Sequence, residues 1–592
     1  MNVIKSFVLA GILVASALSL NVCAADRAPN IVVILTDDQG WGDLGVHGNT
    51  NLQTPAADSL ARDGALFERF YVQPVCSPTR AEFLTGRYHP RGGVFSTSTG
   101  GERLDLDERT IAQVFQEAGY ATGAFGKWHN GTQYPYHPNG RGFAEFYGFC
   151  SGHWGDYFDP PLELNGQPVR GQGFISDDLT DHALAYVETQ REHPFFCYLA
   201  LNTPHSPMQV PDQFFDRFKD GEIPLRHNGL QVEREDVAMT RAALAMCESN
   251  DWNVARVLAK LAELKLVDDT IVLFFCDNGP NSWRWNGGFK GRKGSTDEGG
   301  VRSPLLVRWP GHIVPGTRVK TPAAAIDLLP TLAGLAGVRP NLAKTLDGVD
   351  LSPVLLGQGK TLPSRLIFSH WSGSVSARDE RYMLDGAGHL FDLISDPGQA
   401  HDLRESQPDV ARRMTAAVSA WKKTVLAELK KEPRPFTVGY REFPLTVLPA
   451  RDGVPHGGIQ RSARAPNCSF FTNWTSTADH ITWDITVATA GRYRATAYYT
   501  CPAVDVGATV ELRLGTTATT AKVSEAHDPP LVGAEHDRVP REGESLVKDF
   551  KPLALGDITL LAGRGELILQ ALAVPGKSVM DVRGITLELL PD

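Results

Sequence analysis

Two runs, NIVVILT at residues 30–36 and TIVLFFC at 270–276, are unbroken stretches of aliphatic and aromatic residues that stop at the acidic and turn-forming DDQG and DNGP. A strand wetted on one face alternates apolar and polar residues, whereas one buried on both faces does not. The runs therefore demand a sheet covered on both sides. Two shorter runs with polar ends, TGAFGKWHNG and HPFFCYLALNTPHSP, lie between them, and helical patterns at 56–66, 110–118, 178–189 and 237–266 alternate with the four. This alternation predicts an α/β fold with a large mostly parallel sheet between helices, its functional groups gathered at the carboxyl ends of the strands.

The texture changes toward the end of the chain. AAIDLLPTLAGLAGV reads as a helix, HLFDLISDPGQAHDL as a strand and turn, and PDVARRMTAAVSAWKKTVLAELKK as a long amphipathic helix. A Pro-rich connection over 433–444 follows. From 445 to 592 come HITWDITV, GRYRATAYYTC, ATVELRLG, GDITLLAG, GELILQALAV and VRGITLELL, short runs between Gly, Pro and Asp with no helical pattern, which read as an appended all-β sandwich. Trp474, Trp483, Tyr498 and Tyr499 are either sandwich core or stacking faces of a carbohydrate-binding module.

The first residues combine Lys5, an apolar run from Phe7 to Leu20, and small residues around Ala24, a secretory signal over 1–24. The run is too short for a stable membrane span, and the bulky Val22 disfavours a lipid anchor at Cys23. Export to a periplasm or the extracellular space is expected. The remaining cysteines, Cys76, Cys150, Cys197, Cys247, Cys276, Cys468 and Cys501, are odd in number and scattered without CxxC pairs, so they form neither a disulfide framework nor a zinc site. A formal net charge of −10 leaves no basic face for nucleic acid. Any anion handled here must meet positive charge gathered locally.

Asp37 and Asp38 after the first run, and Asp277 and Asn278 after the late one, are oxygen donors suited to a hard divalent cation, or else ordinary turn and cap residues. Lys127, His129, His205 and Lys293 are weak candidates singly. Cys76, in PVCSPTRAEFLTGR, precedes Pro78 at the start of a helix. Free N–H groups there favour an anion and lower a thiol's pKa, with Arg80 in reach. Activated nucleophile and inert buried cysteine both remain open on this reading.

Cys76-Ser77-Pro78-Thr79-Arg80 followed by AEFLTGR resembles the C-x-P-x-R signature of the formylglycine-dependent sulfatases of the alkaline phosphatase superfamily. ILTDDQGWGDLG, GKWH, TPHSP, CDNGP, KGSTDEGGVRSP and LFDLISDPGQAHDL resemble that family's other blocks in the same order, from about residue 30 to 426. The resemblance implies a catalytic domain over 25–345 and a small antiparallel C-terminal subdomain over 346–432. It implies that a maturation enzyme oxidises Cys76 to Cα-formylglycine, whose hydrate attacks sulfur, with Arg80 orienting it. Asp37, Asp38, Asp277, Asn278 and residue 76 itself would hold Ca²⁺ (or Mg²⁺). Lys127 and Lys293 would bind sulfate oxygens, His205 would protonate the leaving alcohol, and His129 would deprotonate the remaining hydroxyl. Asn130 stands where the family usually has Leu. Lys290 and the segment Gly148 to Arg170, with His153, Trp154 and Asp156, are candidates for substrate contact. The implied activity is sulfate-ester hydrolysis on a sulfated carbohydrate or an aryl sulfate. Phosphate or phosphonate ester hydrolysis and an inactive glycan-binding homologue are the alternatives.

Overall fold

The computed structural model of the protein describes residues 28–227, 232–359, 362, 364–429 and 434–591. The expected signal sequence, with Cys23, lies outside the described residues. A ten-stranded sheet is built from β1 (Asn30–Thr36), β2 (Ala65–Phe67), β3 (Ala121–Lys127), β4 (Glu145–Phe149), β5 (Pro161–Leu164), β6 (Gln167–Arg170), β7 (Phe195–Ala200), β8 (Thr270–Cys276), β9 (Leu305–Arg308) and β10 (Thr317–Val319). Their order across the sheet is β10-β2-β9-β8-β1-β7-β3-β4-β5-β6. The five neighbours β8, β1, β7, β3 and β4 run parallel, with Thr36 opposite Cys276, Leu35 opposite Ala200 and Lys127 opposite Phe149.

Antiparallel pairings on both flanks make the sheet mixed: β9 pairs antiparallel with β8 and β2 on one side, where β10 then joins β2 in parallel, and the β5–β6 hairpin closes the other. Asn165 and Gly166, at φ 49° and 76°, turn that hairpin, as an Asn-Gly pair between strands does. The helix expected over 56–66 ends at Arg62, and Ala65–Phe67 becomes strand β2, paired between β10 and β9. Gly64 lies so close to β9 that a Cβ on it would sit 2.3 Å from the Val307 carbonyl.

Why the runs at 30–36 and 270–276 do not alternate is visible in the core. Ile31, Val33 and Leu35 of β1 pack with α2 (Cys76–Thr85) and α3 (Ile111–Glu117) on one face. Val32 and Ile34 pack on the other with α1 (Pro55–Arg62), α4 (Ile175–Thr189) and α5 (Val237–Glu263). Each such side chain contributes about 1.5–3 kcal/mol on burial, so a polar residue on either face would weaken the sheet.

A four-stranded antiparallel sheet (Ile367–Trp371, Ser374–Arg378, Tyr382–Leu384, Leu390–Asp392) packs against the helix Pro408–Thr424. Beyond residue 434 two further sheets share one core: Trp483, Ile485 and Leu567 from the first meet Tyr493, Leu555 and Ile585 from the second. Phe436–Val438, inside the stretch read as a connection, pairs parallel with Ile485 to Val487; the other pairings of these two sheets are antiparallel. Trp474, Trp483 and Tyr499 are buried in this core, and Tyr498 is half-buried.

Candidate active site

The parallel order places five strand ends side by side. β1 runs into Asp37 and Asp38, β8 into Asp277 and Asn278, β3 ends at Lys127 with His129 just beyond, β7 leads to His205, and β4 leads to His153. Main-chain bonds continue past the strands, from Asp277 N–H to the Thr36 carbonyl (3.2 Å) and from Asp37 N–H to the Thr203 carbonyl (3.2 Å). Gly126 permits the closeness, since at φ 122° a Cβ would lie 2.0 Å from the Ala200 carbonyl oxygen. Asp38 and His129 take the left-handed conformation at φ 66° and 65°. Non-glycine residues held there are strained, and such strain collects at functional sites.

Asp37, Asp38, Asp277 and Asn278 are all buried. Asp277 Oδ1 accepts from Asp38 N–H (3.2 Å), and Asn278 Nδ2 donates to Asp38 Oδ1 (2.7 Å). Asp37 Oδ1 and Asn278 Oδ1 are buried with no hydrogen-bond partner, although each is a strong acceptor. Ligand atoms of Asp37, Cys76 and Asp277 lie within 4.8 Å of one another, as do those of Asp37, Asp38 and His205. Carboxylate and amide oxygens with unused lone pairs fit a hard divalent cation such as Ca²⁺ or Mg²⁺.

Three cations face these oxygens. Lys127 Nζ lies 2.5 Å from Asp37 Oδ2 and Lys293 Nζ 2.6 Å from Asp38 Oδ1. Arg80 donates from Nε and Nη2 to Asp277 Oδ2 (3.1 and 2.9 Å) and from Nη1 to the Lys127 carbonyl (2.7 Å). Burial alone would raise the Asp37 carboxyl, but Lys127, His205, Arg80 and Lys293 together hold it far below the usual range. Asp277, also buried and repelled by Asp37, is pushed up to about 7 against the pull of Arg80. Burial opposes the charge on Lys293, yet Asp38 beside it raises its pKa above the usual value.

Cys76 opens α2, whose ten residues are all buried, two positions ahead of the start expected at Pro78. Of the two readings left open for the thiol, its surroundings favour the unactivated one. Burial pushes the Cys76 pKa up, and the opposing pull of Lys127 and Lys293 does not offset it. Asn130, at the departure from the family pattern, donates to the Ser77 carbonyl (3.3 Å) and the Glu102 carbonyl (3.2 Å), tying the loop after β3 to the start of α2.

The two histidines differ. His129 Nε2 lies 2.8 Å from the Thr97 carbonyl, which only accepts, so the ring proton sits on Nε2 and the buried, unpartnered Nδ1 carries the lone pair. Burial and then Lys127 lower its pKa well below the usual value, which favours the neutral ring with its lone pair at Nδ1. His205 Nδ1 lies 2.7 Å from the Ser206 carbonyl, leaving Nε2 turned toward Asp38 Oδ2 at 3.8 Å.

The candidates for substrate contact divide. His153 is buried at the site, its ring stacked 5.8 Å from that of His205. Trp154 packs instead on Phe149 and under Arg583, and Asp156 lies 3.6 Å from His536, both facing the C-terminal β region. Lys290 is held between Asp297 (3.6 Å) and Asp385 (3.7 Å). Tyr157, whose hydroxyl donates to the His205 and Ser206 carbonyls (3.0 and 2.9 Å), was missed by sequence reasoning. The sequence signal for it was its place in the stretch after β4, where candidates were already expected.

A protein-family model described as Sulfatase matches residues 29–338, more than half of the chain. Human arylsulfatase A is 34% identical over 462 residues, covering 69% of this chain and 83% of that protein. Mouse N-acetylgalactosamine-6-sulfatase is 34% identical over 381 residues, covering 58% and 69%. Among solved structures, Ps i-CgsB in complex with k-i-k-neocarrahexaose superposes with a TM-score of 0.61 at 31% identity, covering 67% of this chain and 93% of that one.

Proposed function

Because the chain belongs to the sulfatase family and is a sulfuric ester hydrolase, we propose that it removes sulfate from a sulfated glycan at the cluster around Cys76. The observation that carries this reading is the pair of open acceptors, Asp37 Oδ1 and Asn278 Oδ1, beside Cys76 and three buried or half-buried cations. The names of the relatives favour a glycan: one acts on an N-acetylgalactosamine sulfate and another is bound to a neocarrahexaose.

Asp37, Asp38, Asp277 and Asn278, with residue 76, would hold Ca²⁺ (or Mg²⁺), which when bound supplies positive charge against the sulfate oxygens. Cys76 is the position a maturation enzyme converts to Cα-formylglycine, the group that supplies the nucleophilic oxygen. Every other role falls to ordinary side chains. Lys127 and Lys293 turn from Asp37 and Asp38 to the sulfate oxygens, preorganised charges that need no solvent to rearrange. Arg80 is locked by Asp277 and the Lys127 carbonyl and holds the start of α2 in register with the strand ends. His205, anchored through Nδ1, presents Nε2 as the proton donor to the leaving alcohol. His129 offers its Nδ1 lone pair as the base. Its lowered pKa favours the neutral ring in which that lone pair is free.

This assignment disfavours phosphate and phosphonate esters, whose hydrolysis commonly uses two metals about 3.5–4 Å apart, because the cluster offers oxygen donors for one cation flanked by lysines. Full occupancy of the candidate positions argues against an inactive glycan binder. Export with the expected signal completes the reading; no helix among the described residues is long and apolar enough to cross a membrane.

The test is sulfate release from a panel of sulfated polysaccharides, their oligosaccharides and an aryl sulfate, with Cys76→Ala alongside. The tryptic peptide FYVQPVCSPTR is weighed from the same protein. Release by wild type only, with the aldehyde mass at residue 76, is expected. An unmodified thiol in active protein would overturn the formylglycine assignment.

A further inference from the structure

The turn that carries His205 is clamped by the C-terminal β region. A loop from that region is closed at its base by the Val532–Val547 bridge. Inside it, Arg541 pairs with Asp537 (2.8 Å) and donates to the Ser545 carbonyl (2.8 Å), so the loop is braced before it touches anything else. Asp537 then forms an antiparallel bridge with Gln209. Gln209 Nε2 donates to the Gly533 carbonyl (2.7 Å) and to Asp537 Oδ1 (2.9 Å), while its Oε1 accepts from Tyr157 N–H (2.7 Å). Arg538 donates from its main-chain N–H to the Met208 carbonyl (2.9 Å) and from Nη2 to the Val210 carbonyl (2.6 Å).

The last contact bears on the chemistry. Glu544 accepts a hydrogen bond from the Ser206 hydroxyl, and the Ser206 carbonyl is the acceptor for His205 Nδ1. A second loop of the same region reaches the other side of the ring: Cys468 Sγ contacts the His153 carbonyl (3.0 Å), and His153 stacks on His205. We propose that Glu544 is a positioning residue, acting through Ser206 to fix His205, and that the C-terminal β region is thereby a working part of the active site. The proposal rests on His205 being the proton donor to the leaving alcohol.

A misplaced general acid hurts most where the leaving group is a poor one. An acidic nitrophenol departs without a proton, whereas a sugar alkoxide does not. Glu544→Ala and Ser206→Ala are therefore expected to lower kcat on a sugar sulfate by about 10- to 100-fold and kcat on a nitrophenyl sulfate by less than about threefold. Glu544→Gln retains an acceptor oxygen for the Ser206 hydroxyl and should restore most of the sugar-sulfate rate. The double variant should lose no more than the worse single one, because both act through one chain of bonds. Equal losses on both esters, or unchanged rates in both single variants, would overturn the proposal. If Glu544→Ala melts well below wild type, Ser206→Ala decides, since it leaves the loop's own bracing intact. Wild type that carries the aldehyde yet releases no sulfate defeats the sulfatase mechanism itself, a result visible without any variant.

Discussion

Lys127 and Lys293 are assigned the same task at sulfate but sit in different surroundings, and that difference can be turned into a measurement. The Lys127 side chain is 0% exposed and paired with an equally buried Asp37; that of Lys293 is 21% exposed. Lys127→Met keeps the bulk and removes the charge, leaving Asp37 a buried carboxylate without its nearest partner. Breaking a buried pair by deleting one member costs about 3–5 kcal/mol, a fall in Tm on the order of 10 °C for a domain of this kind. Lys293→Met opens onto solvent, which screens Asp38, and should cost about 1 kcal/mol. Both should lose about 10²–10³ in kcat, since each removes one preorganised charge from the transition state. Added Ca²⁺ should raise the Tm of Lys127→Met by more than it raises that of wild type, because the divalent charge takes over the compensation of Asp37. Scanning calorimetry with and without Ca²⁺, beside sulfate-release kinetics, reads all three quantities. Equal destabilisation by the two variants, or a kcat within threefold of wild type for Lys127→Met, would refute the reasoning.

Trp483→Ala should cost about 3–5 kcal/mol in urea unfolding and leave retention on insoluble sulfated polysaccharide unchanged at temperatures where it is folded, since Trp483 is core and has no face to offer a sugar. Asp251 accepts the Ala56 and Ala57 N–H groups at the start of α1 (3.1 and 2.7 Å), and burial pushes its pKa from 3.8 up to about 6 against those bonds. A raised folded-state pKa favours the protonated form, so the stability it adds is complete below about pH 4 and is lost as pH rises through about 6. Wild-type stability relative to Asp251→Asn should fall over that window by an amount on the order of 3 kcal/mol, measurable by urea titrations at pH 4 and pH 7.

What sequence reasoning reached, it reached through strand ends. Asp37, Asp38, Asp277 and Asn278 were found because an apolar run that stops at acidic residues is anomalous for packing alone, and parallel pairing then obliges neighbouring ends to meet. The thiol of Cys76 shows where local reasoning stops. A helix N-terminus lowers a cysteine's pKa, as do Lys127 and Lys293 from far off in the chain, but burial, which no local pattern announces, works the other way. Trp154, Asp156 and Lys290 are candidates by position, and each has a partner that no local pattern announces: Arg583, His536 and Asp385. Glu544 had no signal at all, because its meaning lies in Ser206, 338 residues away.

The charge balance explains how a chain of net charge −10 takes an anionic ester. In the candidate site Asp37, Asp38 and Asp277 stand against Arg80, Lys127 and Lys293, each carboxylate paired with one cation. Each charge faces an opposite one, and that mutual attraction offsets the desolvation cost of packing six ionisable side chains among the strand ends. On the proposed reading, a divalent cation held by Asp37 and Asn278 would tip that balance positive and free the lysines for sulfate. Cation and substrate binding should accordingly be coupled: a non-hydrolysed sulfate ester should bind more tightly to Asn278→Ala than to wild type at no Ca²⁺ concentration, and its affinity for wild type should rise with Ca²⁺. Linkage requires the ester to raise Ca²⁺ affinity by the same factor, and isothermal titration in both orders checks it. A common factor of one would refute the idea that the cation frees the lysines for sulfate.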